Sequence, residues 1–244
     1  MTDQSQYHHD FYKATFVDNS EWGTKFPNEG EVLRASKIMA LATRIAKEAN
    51  RSDEPLKILD VGSGRGWLSQ LLTFYGVVQG VEPVTPVVEH ARKIYPHIEF
   101  TAGTPRMMLD KGLDNHFDLI VSSEVLEHVP YAEQQSFMRV ISDLLNETGH
   151  LILTTPRAEI MDVWMEQYAN ASQPIEDWVS EAQLAQLVAN ADLTMVEHNR
   201  FLTYSGALRK NILDRALLKI LTAIGYQYAE PKRLTTYQII HAKK

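Results

Sequence analysis

The sequence predicts an α/β fold in which helices cover both faces of a parallel sheet. Two observations lead to this prediction. Short apolar runs alternate with segments of helical periodicity from residue 56 onward, which is the pattern of strands joined by crossover helices. The first of these runs ends in a turn with glycines at 62, 64 and 66, where open α/β sheets bind ligands. With 244 residues, of which 44% are hydrophobic, the chain can bury a sizeable core.

Composition excludes several classes of protein. The formal net charge is −7, so the chain lacks the overall basic character of nucleic-acid binders. It contains no cysteine, which removes disulfides, thiol nucleophiles and cysteine-ligated zinc. No apolar run approaches the ~18 residues of a membrane span, and the first residues lack the features of a signal peptide. We therefore expect a cytoplasmic protein whose partner is a small molecule rather than a nucleic acid.

Residues 1–50 are expected to form an N-terminal cap and a first helix. The helix is indicated by apolar residues at helical spacing, Ile38, Leu41, Ala42 and Ile45. Disordered tails are poor in aromatic residues, so the aromatic stretch before this helix is expected to pack onto the rest of the fold. Its aromatic residues are Tyr7, Phe11, Tyr12, Phe16, Trp22 and Phe26.

Residues 51–203 are expected to form the core of the fold. Strands are predicted at 57–61, 77–81, 98–101, 117–122, 150–155 and 193–201. Helices are predicted at 67–75, 84–95, 137–145, 160–169 and 181–191. A last strand, predicted at 235–242 within the segment 232–244, completes the sheet.

A segment of 28 residues, 204–231, separates the last two predicted strands, where a short turn would suffice. It contains an apolar stripe at helical spacing with basic residues beside it, which predicts a helical lid. The same stripe would also suit contact with a membrane surface or a homodimer interface. The stripe consists of Leu208, Ile212, Leu213, Ala216, Leu217, Ile220, Leu221 and Ile224.

The turn after the first predicted strand has the chemistry of a cofactor site. Its glycines allow close approach to a ligand, but a dinucleotide fingerprint would need its third glycine at Trp67. Asp60, two residues before the first glycine, would repel a pyrophosphate but would accept hydrogen bonds from an ammonium group. Glu82 ends the second predicted strand 20 residues after Gly62, where a carboxylate can bind a ribose diol.

Three stretches resemble class I S-adenosylmethionine-dependent methyltransferases: 59–66 (LDVGSGRG), 81–83 (VEP) and 117–129 (FDLIVSSEVLEHV). The resemblance implies a Rossmann-like sheet of seven strands that is mostly parallel, with the last strand antiparallel. It also implies that S-adenosylmethionine is the cofactor. The expected contacts are Asp60, Gly62, Ser63 and Gly64 in the loop, Glu82 and Pro83 after the second strand, and Ser123 near the methionyl group.

The adenine of this cofactor is expected after the third predicted strand. Many relatives carry an acidic residue there, but the stretch 102–107 contains neither Asp nor Glu. We expect backbone groups of Thr104 or Pro105 to replace that contact, with Met107 packing on the adenine ring.

The segment Glu124-x-x-Glu127-His128 resembles ubiquinone-pathway O-methyltransferases and metal-dependent small-RNA 2′-O-methyltransferases. A hydroxyl acceptor must lose its proton, and a phenol has a pKa of about 10. One hypothesis makes His128 the general base, with Glu124 or Glu127 orienting it. A second has the two carboxylates and the imidazole hold a divalent metal ion that acidifies the hydroxyl. A third gives His128 only a structural role, as a helix cap or a partner of the backbone.

The predicted function is methylation of a small-molecule hydroxyl on a phenolic, quinone-precursor or sugar-like acceptor. The alternatives are a carboxyl or N-methyltransferase, a metal-dependent RNA 2′-O-methyltransferase, and a cofactor-binding regulatory or assembly protein without catalysis. An acceptor must be held in line with the methyl group, so a cover over this edge of the sheet is expected. We expect segments 7–26 and 204–231 to roof the pocket, with Trp164, Tyr168 and Trp178 as further lining residues.

Glu82→Ala should weaken the binding of S-adenosylmethionine. The substitution removes a charge-assisted pair of hydrogen bonds to the ribose, which contributes ~2–3 kcal/mol. Isothermal titration calorimetry with S-adenosylmethionine and S-adenosylhomocysteine measures the loss. Tight binding of a nicotinamide dinucleotide, with no binding of either sulfur compound, would refute the cofactor assignment.

Overall fold

The computed structural model of the protein describes residues 3–20, 22–49, 54–162, 174–203 and 235–244. Its centre is a sheet of seven strands: β1 (Leu56–Val61), β2 (Gly76–Glu82), β3 (Glu99–Ala102), β4 (Phe117–Ser123), β5 (Leu145–Pro156), β6 (Thr194–Thr203) and β7 (Thr235–Lys243). They lie in the order β3-β2-β1-β4-β5-β7-β6. β7 runs antiparallel to both of its neighbours, and the pairs among β1 to β5 are parallel. The predicted fold class is therefore confirmed.

The described helices are α1 (Asp3–Lys13), α2 (Glu29–Glu48), α3 (Trp67–Leu72), α4 (Thr85–Ile94), α5 (Pro105–Asp110), α6 (Tyr131–Leu144) and α7 (Glu181–Ala189). A π-helix, Ala14–Asp18, continues α1, and 3₁₀ turns at Leu126–His128 and Ala158–Ile160 follow β4 and β5. α2 begins with a capping box, in which the side chains of Asn28 and Glu31 each accept a hydrogen bond from the other residue's backbone amide.

The sheet is buried on both faces because successive side chains of a strand point to opposite sides. In β1, Ile58 packs with α2, α3 and α4, whereas Leu59 packs with α6 and α7 on the other face. In β4, Leu119 and Val121 belong to the first cluster and Ile120 to the second. Burial on both sides is the reason that β4 is a nearly continuous apolar run in the sequence.

Several element boundaries differ from the prediction. Leu145, predicted as the end of a helix, instead begins β5, where it pairs with Phe117. The sequence does not predict α5, because six residues are too few to establish a helical period. Of the predicted helix 160–169, the structure describes only the beginning, and the insertion 204–231 lies outside the described residues.

Within the described ranges, no helix is both long enough and apolar enough to cross a membrane. The division into a cap (1–50), a core (51–203), a lid insertion (204–231) and a last strand segment (232–244) stays a prediction.

Candidate active site

A cavity of about 1540 Å³ opens beyond the carboxyl ends of β1, β2, β3 and β4. Ligand pockets usually measure ~300–1,000 Å³, so this cavity has room for a cofactor and a second molecule. The parallel strands bring their carboxyl ends to one edge of the sheet, which gathers residues that are distant in sequence. Apart from Met107, the residues predicted to bind cofactor or to catalyse line this cavity: Asp60, Gly62, Ser63, Gly64, Glu82, Pro83, Thr104, Pro105, Ser123, Glu124, Glu127 and His128.

The glycine loop is held against the neighbouring strand by backbone hydrogen bonds. The amides of Gly62 and Ser63 donate to the carbonyl oxygen of Val81 at 2.8 and 3.1 Å. At Gly62, φ is +67° and an added Cβ would lie 2.3 Å from Cγ2 of Val125, so only glycine fits. At Gly64, with φ +50°, a Cβ would meet nothing within 4 Å, so this part of the loop is open to a ligand.

Asp60 lies near the end of β1 and is 1% exposed. The hydroxyl of Ser69 in α3 donates a hydrogen bond to Oδ2 of Asp60. Burial raises the pKa of Asp60 to about 7, with the Ser69 hydrogen bond acting against the shift and the carboxylate of Glu82 adding to it. A cationic ligand would favour the ionised form, because an opposite charge nearby lowers a carboxyl pKa.

Glu82 connects the end of β2 to the glycine loop. Its Oε2 accepts from the amide of Gly64 at 3.2 Å, and its Oε1 accepts from the amide of Val84 at 3.0 Å. Burial raises the pKa of Glu82 to about 7, although both of these bonds lower it. A carboxylate has about four lone-pair sites, so these two bonds leave capacity for a ribose diol.

Thr104 and Pro105 line the cavity after β3, where the adenine is expected. The amide of Gly103 donates to the carbonyl oxygen of Glu82 at 2.9 Å, which joins the ends of β3 and β2. The sulfur of Met107 lies so close to Gly103 that a Cβ there would be 2.7 Å from it. Met107 is 43% exposed and does not line the described part of the cavity, so its expected packing on the adenine has no support.

Glu124 follows β4 with φ +58°, a left-handed backbone conformation that is uncommon outside glycine and concentrates at functional sites. β5 holds it there. The amide of Glu124 donates to the carbonyl oxygen of Thr154 at 3.0 Å, and the Thr154 hydroxyl donates to Oε1 of Glu124 at 2.7 Å. The hydroxyl of Ser123 lies 3.1 Å from the same Thr154 hydroxyl. One threonine therefore positions both predicted residues.

The 3₁₀ turn Leu126–His128 places His128 with its two ring nitrogens in different surroundings. Nδ1 lies 2.9 Å from the carbonyl oxygen of Ile175. Because a carbonyl oxygen only accepts, Nδ1 carries the hydrogen, and Nε2 of the neutral ring has a free lone pair. Nε2 lies 3.9 Å from Oε1 of Glu127. The hydrogen bond at Nδ1 is therefore made by Ile175, and neither Glu124 nor Glu127 orients the ring from that side.

Burial also determines the charge states of Glu124, Glu127 and His128. It raises the pKa values of Glu124 and Glu127 to about 7, while the guanidinium of Arg34 lowers both. It lowers the pKa of His128 below the ordinary value of 6.5, against the opposing effects of the Ile175 carbonyl and Glu124. The imidazole is then neutral at pH 7, which is the form that accepts a proton.

The arrangement of these side chains does not support the metal hypothesis. Among the residues that the structure describes, no three His, Cys, Asp or Glu side chains are grouped in a way that could hold a metal ion. Glu124 and Glu127 instead accept hydrogen bonds from the hydroxyls of Thr154 and Thr155. A divalent metal ion held by Glu124, Glu127 and His128 is therefore not supported.

Sequence reasoning misses Arg34, which lines the cavity from α2. Its Nη1 lies 3.6 Å from Oε2 of Glu124, and its guanidinium lies 6.0 Å from the centroid of the Tyr237 ring. Its Nε is buried and makes no hydrogen bond. In the sequence, nothing separates this arginine from the solvated arginines of an amphipathic helix.

Sequence reasoning also misses Arg65, which lies between two glycines of the loop and is 1% exposed. Nη1 and Nη2 donate to the two carboxylate oxygens of Glu31 at 2.9 and 2.6 Å. Nε and Nη2 also donate to the carbonyl oxygens of Thr24 and Phe26 at 2.7 and 3.2 Å. The spacing Asn28-x-x-Glu31 could have predicted the start of α2, but not this partner in the loop.

Residues 23–26, which we call the strap, are bound by their successive carbonyl oxygens. Arg65 donates two of these bonds, and the hydroxyl of Tyr95 donates a third to the carbonyl oxygen of Lys25 at 2.7 Å. Nε2 of His90 lies 2.8 Å from the carbonyl oxygen of Gly23. The core thus holds the strap through its backbone, which fixes the path of the N-terminal segment over the cavity.

Part of the segment predicted to cover the cavity lies within the described residues. Four residues of the N-terminal segment line the cavity: His9, Tyr12, Phe16 and Trp22. Trp178 also lines it, as expected. Trp164, Tyr168 and the insertion 204–231 lie outside the described residues.

Comparison with known proteins identifies relatives of this chain. A family model described as a methyltransferase domain matches residues 33–198. A ubiquinone biosynthesis O-methyltransferase from Ruegeria pomeroyi is 26% identical over 208 residues, which cover 76% of this chain and 82% of the relative. A protein of the same name from Azorhizobium caulinodans is 34% identical over 113 residues, so the match spans only 43% of that relative's length and 43% of this chain.

The fold has many counterparts among solved structures. Magnesium protoporphyrin IX methyltransferase from Synechocystis, solved with S-adenosylhomocysteine bound, superimposes with a TM-score of 0.64. The superposition covers 99% of this chain and all of that one, at 14% sequence identity. At this identity the similarity establishes the fold alone.

The buried ion pair of Arg65 and Glu31 should be strongly stabilising relative to either partner alone. Arg65→Met leaves the Glu31 carboxylate buried without its partner and should lower the free energy of unfolding by about 3–5 kcal/mol. The matched control is Arg44→Met, which removes a surface ion pair with Glu197. This control should cost at most ~1 kcal/mol. Urea denaturation followed by circular dichroism measures both, and equal losses would contradict the assignment.

Proposed function

The chain belongs to the methyltransferase-domain family, among the class I S-adenosylmethionine-dependent methyltransferases, and on that premise we propose that it methylates the hydroxyl of a small molecule. The observation that carries this proposal is the state of His128. Its neutral imidazole has a free lone pair on Nε2, next to a buried carboxylate, in the same cavity as the cofactor loop. The name of the relatives, ubiquinone biosynthesis O-methyltransferase, supports oxygen as the methyl acceptor.

The residues of the cavity fit S-adenosylmethionine. Gly64 presents open backbone, Glu82 keeps acceptor capacity for the ribose, and the buried Asp60 suits the ammonium group. Thr104 and Pro105 stand where the adenine is expected. When bound, the cofactor supplies a methyl group on a cationic sulfur. The protein's own task is then to align the acceptor and to remove its proton.

We assign the carboxylate of the cofactor's methionyl group to Arg34. Asp60 lies near the end of β1 and Glu124 directly follows β4, the neighbouring strand of the sheet. Arg34 approaches Glu124 there. The guanidinium of Arg65 is engaged by Glu31 and two carbonyl oxygens. Arg34 has a buried Nε without a hydrogen bond, and a buried unsatisfied donor is costly unless a ligand satisfies it.

We assign the removal of the acceptor's proton to His128. With the cofactor bound, Nε2 would take the hydroxyl proton as the acceptor oxygen bonds to the methyl carbon. The carbon–sulfur bond would break to leave a neutral thioether, and the ring would become an imidazolium. Glu127, whose Oε1 lies 3.9 Å from Nε2, then faces a positive charge and stabilises it in its ionised form. The Ile175 carbonyl keeps its bond to Nδ1 throughout, so the ring does not need to turn.

Arg34→Met should weaken binding of S-adenosylhomocysteine about 10- to 100-fold, because it removes hydrogen bonds between charged groups. Binding of 5′-methylthioadenosine, which lacks the amino-acid part, should stay unchanged. Glu82→Ala is the matched control, because it should weaken both ligands through the ribose. Calorimetry provides all of these affinities. An equal loss for both ligands in Arg34→Met would contradict the assignment of the carboxylate.

His128→Ala should lower turnover of a catechol acceptor by about 10²-fold or more, with affinity for S-adenosylhomocysteine nearly unchanged. In the unsubstituted enzyme, kcat/KM should fall only below the ordinary histidine pKa of ~6.5, because burial lowers the pKa of His128. The matched acceptor 4-nitrocatechol ionises near neutral pH without help. Its kcat, measured at saturating acceptor so that weaker binding of the anion does not enter, should therefore depend much less on His128.

Transfer of labelled methyl groups decides between the acceptor classes. We expect incorporation into hydroxyl acceptors. Incorporation into carboxylates or amines alone would overturn O-methylation, and full activity of His128→Ala with catechol would overturn the role of the base.

A further inference from the structure

The N-terminal helix supplies a wall of the cavity that lies outside residues 33–198, the part matched by the family model. α1 and the π-helix that continues it carry Tyr12 and Phe16, which both line the cavity. Their rings are nearly parallel, with centroids 6.1 Å apart and an interplanar angle of 9°. Phe11 packs edge-on against Tyr12 with centroids 5.3 Å apart. The wall is therefore an ordered aromatic group rather than a loose tail.

Tyr12 stands directly against the proposed base. Its ring centroid lies 6.0 Å from that of His128, and the two rings are inclined at 68°. This edge-to-face arrangement is one that aromatic rings prefer. The same Tyr12 is close enough to Glu82 and Glu127 for their charges to act on its hydroxyl. Tyr12 is thus in ring contact with the residue expected to take the acceptor's proton and within electrostatic range of the residue expected to bind the ribose.

The chemistry around Tyr12 favours one kind of occupant. Burial raises the pKa of its hydroxyl well above the ordinary value of 10, and the carboxylates of Glu127, Glu82 and Glu176 raise it further. The hydroxyl therefore stays protonated and cannot serve as a base. An anionic acceptor would be repelled by the same carboxylates. A sugar would place polar groups against Tyr12 and Phe16, where ring faces offer few hydrogen-bond partners.

We propose that Tyr12, backed by Phe16, binds the ring of an uncharged aromatic acceptor and places its hydroxyl at Nε2 of His128. The proposal rests on the proposed function and names the substrate class for it: phenols without an acidic substituent. Trp22 and Trp178, which also line the cavity, extend the apolar surface available to such a ring.

Binding of catechol to the complex of the protein with S-adenosylhomocysteine tests this proposal without any turnover. Tyr12→Leu should raise the Kd of catechol about 10-fold, the loss expected when an aromatic contact and its buried area are removed. Tyr12→Phe keeps the ring and should stay within about 2-fold of the unsubstituted protein. The control is Tyr7→Leu on the same helix, because Tyr7 is 58% exposed and should leave the Kd unchanged. The affinity for S-adenosylhomocysteine should be unchanged in all three variants.

A second ligand pair tests the charge preference. 3,4-Dihydroxybenzoate carries the same two hydroxyls as catechol and adds a carboxylate. We expect it to bind the unsubstituted protein at least about 10-fold more weakly than catechol, since like charges in a buried site repel.

Three results would overturn the proposal. Tighter binding of catechol to Tyr12→Leu would mean that the ring blocks the acceptor site. A parallel loss of S-adenosylhomocysteine affinity would place Tyr12 in the cofactor site. Equal or tighter binding of 3,4-dihydroxybenzoate would refute the uncharged acceptor. If catechol binds through Tyr12 but no hydroxyl is methylated, the proposed O-methylation is refuted, while the role of Tyr12 in binding an aromatic ligand is supported.

Discussion

The arrangement of the active site depends on one buried ion pair, between Arg65 of the glycine loop and Glu31 at the start of α2. Taking two charges out of water is costly, and the cost is repaid only when geometry is good and the remaining donors are satisfied. Here the carboxylate is bound by both terminal nitrogens, and two carbonyl oxygens of the strap accept from the same guanidinium. The glycine loop, the strap and α2 therefore keep a single relative position. Since α2 also carries Arg34, the pair also fixes a cation in the cavity, at the end where the methionyl group is proposed to bind.

The cavity brings together four buried carboxyl groups whose ionisation is disfavoured by their surroundings. Asp60, Glu82, Glu124 and Glu127 line it, and burial raises the pKa of each to about 7. Burying four carboxyl groups in one cavity destabilises the fold. A cationic ligand offsets part of this cost, because a positive charge nearby stabilises their ionised forms. Dipoles and charges that are already in place when the ligand arrives need no reorganisation during the reaction. The acidity of the cavity is thus a reason for it to bind a sulfonium cofactor rather than a nucleotide phosphate.

Local patterns in the sequence were sufficient for the sheet, the glycine loop and the position of Glu82, because each depends on neighbours within one strand–turn–helix unit. The features that the sequence did not predict are contacts between residues far apart in the chain. Arg65 and Glu31 are 34 positions apart, and His128 and Ile175 are 47 apart. No periodicity or spacing shows such pairs, because they are products of tertiary packing. For this reason the sequence suggests His128 as a base without indicating which of its nitrogens has the free lone pair. It also assigns Glu124 or Glu127 the orienting role that Ile175 has at Nδ1.

The cofactor half and the acceptor half of the site are built from different segments of the chain. Similarity to relatives therefore indicates less about the acceptor than about the cofactor. The residues expected to hold the cofactor stand at the ends of β1, β2, β3 and β4, within the segment matched by the family model. The wall that faces His128 comes from α1 and the π-helix, which that model does not cover. Function in shared folds resides in such added parts, so acceptor choice can change while the cofactor half stays the same. The strap bridges the two halves, because Arg65 holds it from within the glycine loop. If α1 binds the acceptor as proposed, a change of acceptor would come from new side chains on α1 rather than from a new position for α1.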